Sequence, residues 1–293
     1  MLNSRRKILF ILNPKAGHGK AGNIVREAER LLDQSKFEIH FSETEYAGHA
    51  KLLAKKAADE HYDYVACAGG DGTVNEVASS LKDTETALLI IPAGSGNGLA
   101  RHLQIPMNAA SAIALLNKGK KVSIDTFSIN NLFTINVAGV GFDALVAHRF
   151  AEKNKRGLKT YIKTILAEYA TSKEFEAEIN GTVYKAWLIS IANSSQFGNN
   201  AWIAPVASCT DGILDIIICK KQKGVKLLTF AVNLFSKRLS SADYTALRSN
   251  QMTIKLFSKQ PLHLDGEPAG FTDELNIYCN PLSLKVIVPQ HVE

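Results

Sequence analysis

Ala68-Gly69-Gly70-Asp71-Gly72-Thr73-Val74-Asn75-Glu76 follows the apolar run Tyr64-Val65-Ala66-Cys67-Ala68 and leads into Val74, Val77, Ala78 and Leu81 at helical spacing. A short continuous apolar run is what a parallel sheet buries on both faces, so the stretch reads strand, glycine loop, helix. The loop then sits at the carboxyl end of a strand, where open α/β sheets bind their ligands. Gly69, Gly70 and Gly72 permit positive φ and close backbone approach, and N–H groups opening a helix point at any anion placed there. Such a loop suits phosphate. Asp71 would repel that phosphate unless a cation lay between them, and hydrated Mg²⁺ is the usual one. Taken alone, the stretch is equally a glycine turn in which Asp71 caps the helix. The surrounding motifs favour nucleotide phosphate with magnesium.

Around this loop, extended and helical segments alternate: Lys7 to Leu12 extended, Gly22 to Leu32 helical with Ile24, Ala28, Leu31 and Leu32 on one face, and Phe37 to Phe41 extended. His49 to Glu60 then reads as helical, Asp63 to Ala68 as extended, Thr73 to Leu81 as helical and Ala87 to Ile91 as extended. Alternation at this spacing predicts a parallel sheet with helices on both faces. Two further loops end strands of that sheet, Asn13-Pro14-Lys15-Ala16-Gly17-His18-Gly19-Lys20 and Pro92-Ala93-Gly94-Ser95-Gly96-Asn97-Gly98. The first is only superficially a Walker A loop, since Pro14 stands five residues before Gly19. Loops that follow strands of one parallel sheet converge on one edge, and together these three could enclose a nucleotide.

Beyond about residue 120 the runs become short and β-rich: Val122 to Ile129, Leu132 to Val137, Phe175 to Ile179, Val183 to Ile191, Ile213 to Cys219, Met252 to Phe257, Leu275 to Tyr278 and Leu284 to Val288. Asn180-Gly181 signals a type I′ hairpin. This half is expected to be an antiparallel sandwich. Helices interrupt it, one with Leu158, Tyr161, Ile162, Ile165, Leu166 and Tyr169 on a shared face, another with Val225, Leu228 and Val232.

At 293 residues and 46% hydrophobic content the chain can fill two cores. No window approaches the roughly 18 apolar residues of a membrane span. Arg5-Arg6-Lys7 before Ile8 to Leu12 imitates a signal peptide, but Asn13-Pro14 ends the run too early, and it reads as a first strand. Cys67, Cys209, Cys219 and Cys279 are scattered, which suits packing in a reducing cytoplasm better than a disulfide framework or zinc site. A net charge of +6 favours anionic partners. Helix-turn-helix, zinc-finger and RNA-binding aromatic signatures are missing, so nucleic acid is not expected among them.

Asn13-Pro14 with Gly17, Gly69 to Glu76, Pro92 to Asn97, Gly141-Phe142-Asp143-Ala144, Asp211-Gly212 with Leu214-Asp215, and Leu264-Asp265-Gly266-Glu267 occur in the order found in the diacylglycerol kinase catalytic-domain family, which the chain resembles over nearly its whole length. That family includes bacterial soluble lipid kinases and is related to sphingosine and ceramide kinases. The resemblance implies an α/β plus β fold: an N-terminal parallel domain like those of phosphofructokinase and NAD kinase, and a C-terminal antiparallel β-sandwich, with the active site in the cleft between them. The expected boundaries are 1–122 and 123–293, with room for the last strand, about 283–293, to pack back toward the N-terminal domain. It also implies transfer of the ATP γ-phosphoryl group to a lipid hydroxyl, a reaction made of positioning and charge stabilisation.

By motif match, Asn13, Pro14, Lys15, Ala16, Gly17, Thr44, Gly69, Gly70, Asp71, Gly72, Thr73, Val74, Asn75, Glu76 and Ser95 are the nucleotide-contacting positions. Asp71, Asp125 and Asp265 resemble an acidic network around a catalytic Mg²⁺ and its waters, and Glu267 falls where the family places its proton acceptor. A carboxylate among carboxylates holds its proton more tightly, which suits a general base. In isolation Leu264-Asp265-Gly266-Glu267 is an ordinary hairpin turn. Asp211 resembles a residue binding a second, structural Mg²⁺ together with the carbonyls of Ser208 and Ile213. Many bacterial diacylglycerol kinases carry a carboxylate where this chain has Gly98, and Gly94-Ser95-Gly96-Asn97 is closer to the sphingosine and ceramide kinase form.

The expected acceptor is diacylglycerol, the alternatives being a sphingoid base or ceramide, NAD as in NAD kinase, or no acceptor at all in a lipid- or nucleotide-sensing protein. The expected partner is a lipid at a membrane surface, reached peripherally and reversibly from the cytoplasm, and a homodimer is compatible with the family. Arg149, Lys153, Lys155, Arg156, Lys159 and Lys163, and a second cluster of Lys220, Lys221, Lys223 and Lys226, are either solvated helix faces or a membrane-recruiting surface.

Overall fold

The computed structural model describes residues 5–16, 21–153 and 158–292. Gly17, His18, Gly19 and Lys20 of the first loop and Lys155 and Arg156 of the basic segment lie outside the described residues, as do the side chains of Leu158, Lys159, Tyr161 and Ile162. The chain forms two compact units, Met1–Asp125 with Leu282–Glu293, and Thr126–Pro281.

The first unit runs β1 (Arg6–Leu12), α1 (Ala21–Leu31), β2 (Phe37–Glu43), α2 (His49–Asp59), β3 (Tyr64–Gly69), α3 (Asp71–Leu81), β4 (Ala87–Pro92), the short helices α4 (Gly98–His102), α5 (Ala109–Ile113) and α6 (Leu115–Lys118), and the start of β5 (Lys120–Ile129). The strands pair in parallel in the order β2-β1-β3-β4, and Val286 joins beside Leu88 of β4. All six residues of β3 are buried, as their continuous apolar character requires. Ile24, Ala28 and Leu32 bury the inner face of α1, Ala50, Ala54 and Ala57 that of α2, and Val74, Val77, Ala78 and Leu81 that of α3. From β1 the chain winds outward to β2, then returns to place β3 on the other side of β1. That reversal makes a switch point between β1 and β3, at whose carboxyl ends a ligand crevice opens.

The second unit holds the rest of β5, then β6 (Leu132–Thr134), β7 (Val137–Gly141), α7 (Phe142–Ala151), α8 (Leu158–Thr171), β8 (Phe175–Ile179), β9 (Thr182–Ala186), β10 (Leu188–Ala192), β11 (Leu214–Cys219), α9 (Val225–Phe235), β12 (Thr245–Ser249), β13 (Gln251–Leu264) and most of β14 (Glu267–Val288). The order β12-β11-β10-β7-β13-β14 is antiparallel among the strands of this unit. β13 pairs with β8 through Ile254 to Leu256 and with β7 through Leu262 to Leu264, so one strand serves two layers. Its register shifts after Lys255 and after Pro261 let it bend between them. Phe127, Val140, Ile189, Ile216, Ile254 and Leu275 lie in the core between the layers.

Two of the expected runs are broken. Leu132 to Val137 divides because the N–H groups of Ile135 and Asn136 turn to the Asp265 carboxylate, at 3.1 and 2.8 Å, instead of to a neighbouring strand. Val183 to Ile191 divides at Trp187, whose backbone N–H bonds Cys219 O at 2.7 Å while its ring N–H reaches Ser172 Oγ at 2.9 Å. The helix faces also need correction. On α8, Ile165 and Tyr169 pack against the core but Leu166 is 68% exposed. On α9, Val225, Leu228 and Val232 do share a face, and it looks to solvent, while Phe230 holds the helix to the protein.

The cysteines are free thiols; Cys67, Cys209 and Cys219 are buried, and burial pushes the Cys67 and Cys219 thiols far above their ordinary range. Among the described residues no helix is long and apolar enough to cross a membrane.

Candidate active site

The three strand-end loops of the first unit are tied to one another. Asn13, just past β1, donates Nδ2–H to Thr73 Oγ1 at 2.9 Å, and its Oδ1 accepts the Lys15 N–H at 3.0 Å. The loops after β3 and β4 touch backbone to backbone: a Cβ added to Gly94 would lie 2.5 Å from Gly70 Cα, and one added to Gly69 would lie 2.5 Å from Thr73 Cβ. Close approach is therefore what these glycines supply. Positive φ is not, since Gly70 has φ −89° and neither Gly69 nor Gly72 has a positive φ.

Asp71 opens α3 without capping it. The N-cap is Gly70, with no side-chain cap bond, and the Asp71 carboxylate reaches across to the next loop. There Oδ2 accepts the Asn97 N–H and Oδ1 the Gly98 N–H, both at 2.8 Å. Asn97 sits in the left-handed region at φ 51°, closing its own turn by accepting from Gly94 N at 2.9 Å and donating to Gly94 O at 2.8 Å. These two bonds fix the Asp71 carboxylate where the two loops meet. Gly98, without a side chain of its own, contributes its backbone N–H to Asp71.

The remaining positions assigned to nucleotide are less uniform. Lys15 and Ser95 are exposed, Pro14, Ala16, Gly72 and Asn75 are half-buried, and Val74 belongs to the core. Thr44 N donates to Leu12 O at 2.9 Å, fixing the loop after β2 beside the end of β1. Glu76 Oε1 accepts from Gly48 N at 2.8 Å, which serves the open start of α2. Asp125 is fully buried and accepts from Leu282 N at 2.7 Å, where the chain returns to this unit.

In the second unit Asp265 and Gly266, at φ 51° and 86°, form the two-residue turn between β13 and β14, with Leu264 opposite Glu267. The plain hairpin geometry is thus present, and it carries unusual chemistry. The Asp265 carboxylate is buried and accepts from Thr134 Oγ1 at 2.7 Å as well as from the Ile135 and Asn136 N–H groups. This donor set satisfies the anion and fixes the turn that presents the exposed Glu267. On the other side of the turn Gly266 donates its N–H to His263 Nδ1 at 3.2 Å. Nδ1 must then be unprotonated, so the neutral ring carries its proton on Nε2, which faces Asp143 Oδ2 at 3.2 Å. Ser190 Oγ donates to the same oxygen at 2.9 Å. Gly139 leaves room for this cluster, since a Cβ there would meet Asp143 Oδ2 at 2.6 Å. Gly141-Phe142-Asp143-Ala144 and the Asp-Gly-Glu turn are therefore parts of one network. His263, Ser190, Thr134 and Asn136 were missed by motif reading because each lies inside an ordinary β-run or beside its end.

Asp211, expected to hold a structural cation, is already engaged. Its Oδ1 accepts from Ile213 N at 3.1 Å, and its Oδ2 pairs with the Arg248 guanidinium, which also reaches Asp215 Oδ1 at 3.3 Å. Burial pushes the Asp215 carboxyl up, Arg248 opposes that, and Asp211 adds to it. Ser208 Oγ bonds Thr210 Oγ1 at 3.1 Å. A hard divalent ion wants several oxygen ligands. Here it would compete with the Arg248 guanidinium for Asp211.

The basic segments are likewise partly committed. Arg149 pairs with Glu152 at 3.4 Å and Glu168 at 3.6 Å. Lys221 Nζ donates to the carbonyls of Tyr169 and Ser172 at the end of α8, at 2.7 and 2.6 Å.

Comparison with known proteins gives these loops a class. Residues 7–129 match the diacylglycerol kinase catalytic domain, and residues 136–288 match the YegS C-terminal NAD kinase beta sandwich-like domain. The chain is 31% identical to a Klebsiella pneumoniae protein named "Probable lipid kinase YegS-like", over 96% of this chain and 95% of that one. It is 27% identical to the diacylglycerol kinase of Bacillus subtilis over 97% of both chains. A diacylglycerol kinase structure from Bacillus anthracis superposes with a TM-score of 0.75 over 99% of both chains, at 23% identity, which speaks to the fold. The chain belongs to the diacylglycerol kinase and YegS-like family of lipid kinases, and the two-domain α/β plus sandwich expectation holds.

Proposed function

We propose that this protein transfers the γ-phosphoryl group of ATP, in the presence of Mg²⁺, to the free hydroxyl of diacylglycerol, giving phosphatidic acid and ADP. The observation that carries this reading is the joint built by Asp71, which clamps the loop after β4 against the glycine loop after β3. Rigid backbone N–H groups at strand ends suit a polyphosphate. The loop from Asn13 is held to the same helix through Thr73. Bound magnesium would neutralise charge on the phosphates, and Asp71, the carboxylate beside the glycine loop, is the residue assigned to its waters. Glu267 is assigned as acceptor of the lipid hydroxyl proton as that oxygen bonds to phosphorus and the bond to ADP breaks. Asp265 and His263 hold the turn that carries it.

The name of the Bacillus subtilis relative supports diacylglycerol. The Gly94-Ser95-Gly96-Asn97-Gly98 form supports a sphingoid base or ceramide as the second reading. Labelled ATP with Mg²⁺ should be offered to diacylglycerol, sphinganine and ceramide separately in mixed micelles, with NAD as a soluble control. Label on diacylglycerol is the expected result, label on a sphingolipid transfers the assignment to the second reading, and label on NAD alone overturns the lipid assignment.

A further inference from the structure

α9 is an eleven-residue helix turned inside out on one side. Its inner face is held by buried Phe230 and by Leu234, which packs on the same core and whose carbonyl accepts from Trp202 N at 2.9 Å. Its outer face carries Val225, Leu228, Val232 and Phe235, exposed to 78%, 67%, 62% and 53%. These residues are spaced three, four and three apart, so they form a single ridge along the helix rather than scattered contacts. Scattered exposed apolar residues are ordinary, whereas a continuous ridge marks a surface that something covers.

The charges around the ridge indicate what covers it. From residue 220 to residue 238 the chain carries Lys220, Lys221, Lys223, Lys226, Lys237 and Arg238 and no acidic residue. Lys221 is committed to the end of α8 and Lys237 lies over the Trp202 ring at 4.6 Å, but Lys220 and Lys223 at one end of the ridge and Arg238 at the other are exposed. An apolar stripe rimmed by cations is the pattern of a helix that lies in the plane of an anionic bilayer, its apolar side chains among the acyl chains and its lysines at the phosphates. At about 1.5 Å per residue the helix is roughly 16 Å long, far short of a span, so it can only lie flat.

We propose that the outer face of α9, with Val225, Leu228, Val232 and Phe235 as its apolar ridge, docks on the surface of an anionic lipid bilayer. The choice of a bilayer over another protein rests on the lipid-kinase reading, since the enzyme must find a substrate that does not leave the membrane. This site differs from the basic segment around α8, where Arg149 is already paired with two glutamates.

The test is partition of the full chain onto sedimented vesicles of phosphatidylcholine with phosphatidylglycerol, and of phosphatidylcholine alone. Binding should favour the anionic vesicles and weaken with added salt. Leu228→Asp with Val232→Asp should lower partition at least tenfold on the anionic vesicles. Lys220→Glu with Lys223→Glu, which leaves the ridge intact, should reduce the preference for anionic over neutral vesicles by a similar factor. All four positions are on the surface, and thermal unfolding of each variant checks that the fold is kept. Phosphorylation of a water-soluble short-chain diacylglycerol should be the same in wild type and variants. Partition unchanged in both variants overturns the proposal, as does a change from dimer to monomer on gel filtration with vesicle binding intact, which would make the ridge a contact between copies. A wild type that sediments with vesicles through this ridge but phosphorylates no lipid would count against the proposed reaction and leave the docking surface standing.

Discussion

Gly94→Ala tests the contact on which the nucleotide-side reading depends. The added Cβ would stand 2.5 Å from Gly70 Cα and 2.9 Å from Asn97 Oδ1. Two carbons touch at about 3.5 Å, so about 1 Å of separation must come from the backbone of one loop. Neither neighbour is the flexible end of a long side chain. If the shift moves Asn97 and Gly98 away from α3, the two 2.8 Å bonds to Asp71 would open past the roughly 3.2 Å limit of a hydrogen bond. Overpacking of this kind costs about 1–3 kcal/mol, and a hydrogen bond to a charged group is worth about 1.5–3 kcal/mol. Part of the clash will be relieved without breaking both bonds, so a loss of about 2–4 kcal/mol is expected for the first unit. With a urea dependence of about 2 kcal/mol per molar, the midpoint should fall by about 1–2 M. Affinity for ATP, measured by calorimetry on chain that is still folded, should drop at least tenfold, equivalent to about 1.4 kcal/mol. Gly22→Ala is the control, because nothing lies within 4 Å of the new methyl group. A Gly94→Ala protein whose urea midpoint and ATP affinity match those of the control would show that the loops do not depend on this approach.

Three other substitutions address the remaining parts. Glu267→Gln should abolish phosphoryl transfer while ATP affinity by calorimetry stays within twofold, and transfer near the wild-type rate would remove Glu267 as the base. Thr134→Val deletes the 2.7 Å bond to the buried Asp265 carboxylate and should cost about 1.5–3 kcal/mol in urea unfolding; no change would mean that the backbone donors alone hold the anion. Asp215→Asn bears on pH. Burial raises the native carboxyl above 3.8, so the folded chain keeps a proton that the unfolded chain releases, and wild-type stability contributed by this group is lost as pH rises from 3.8 through the native value. Asparagine has no such proton, so the stability of the variant relative to wild type should climb across that window and then level off. Denaturation curves that stay parallel from acid to neutral pH would contradict the shift.

The loops were legible because local chemistry dictates them. Tyr64 to Ala68 is apolar throughout, and only burial on both faces of a sheet accommodates that. Asp265-Gly266, like Asn180-Gly181, carries residue types that tolerate positive φ at both turn positions, so their hairpins follow from the dipeptides themselves. The family motifs were found in order along the chain for the same reason.

What the sequence could not express is direction and partnership. Spacing put Val225, Leu228 and Val232 on one side of a helix, but period alone does not say whether that side meets a core or water, and the packing of Phe230 and Leu234 decided it. Asp71 read as a metal or cap residue, and only the folded loop after β4 revealed the two N–H groups that claim its oxygens. His263 and Asp143 stand 120 residues apart, and Asp211 meets an arginine 37 residues away. Residue type and spacing therefore determined the strands, the turns and the family. Hydrogen bonds between segments distant in the chain form only once the sheet fixes their register, so the tertiary structure alone decided which carboxylates anchor backbone and which pair with cations.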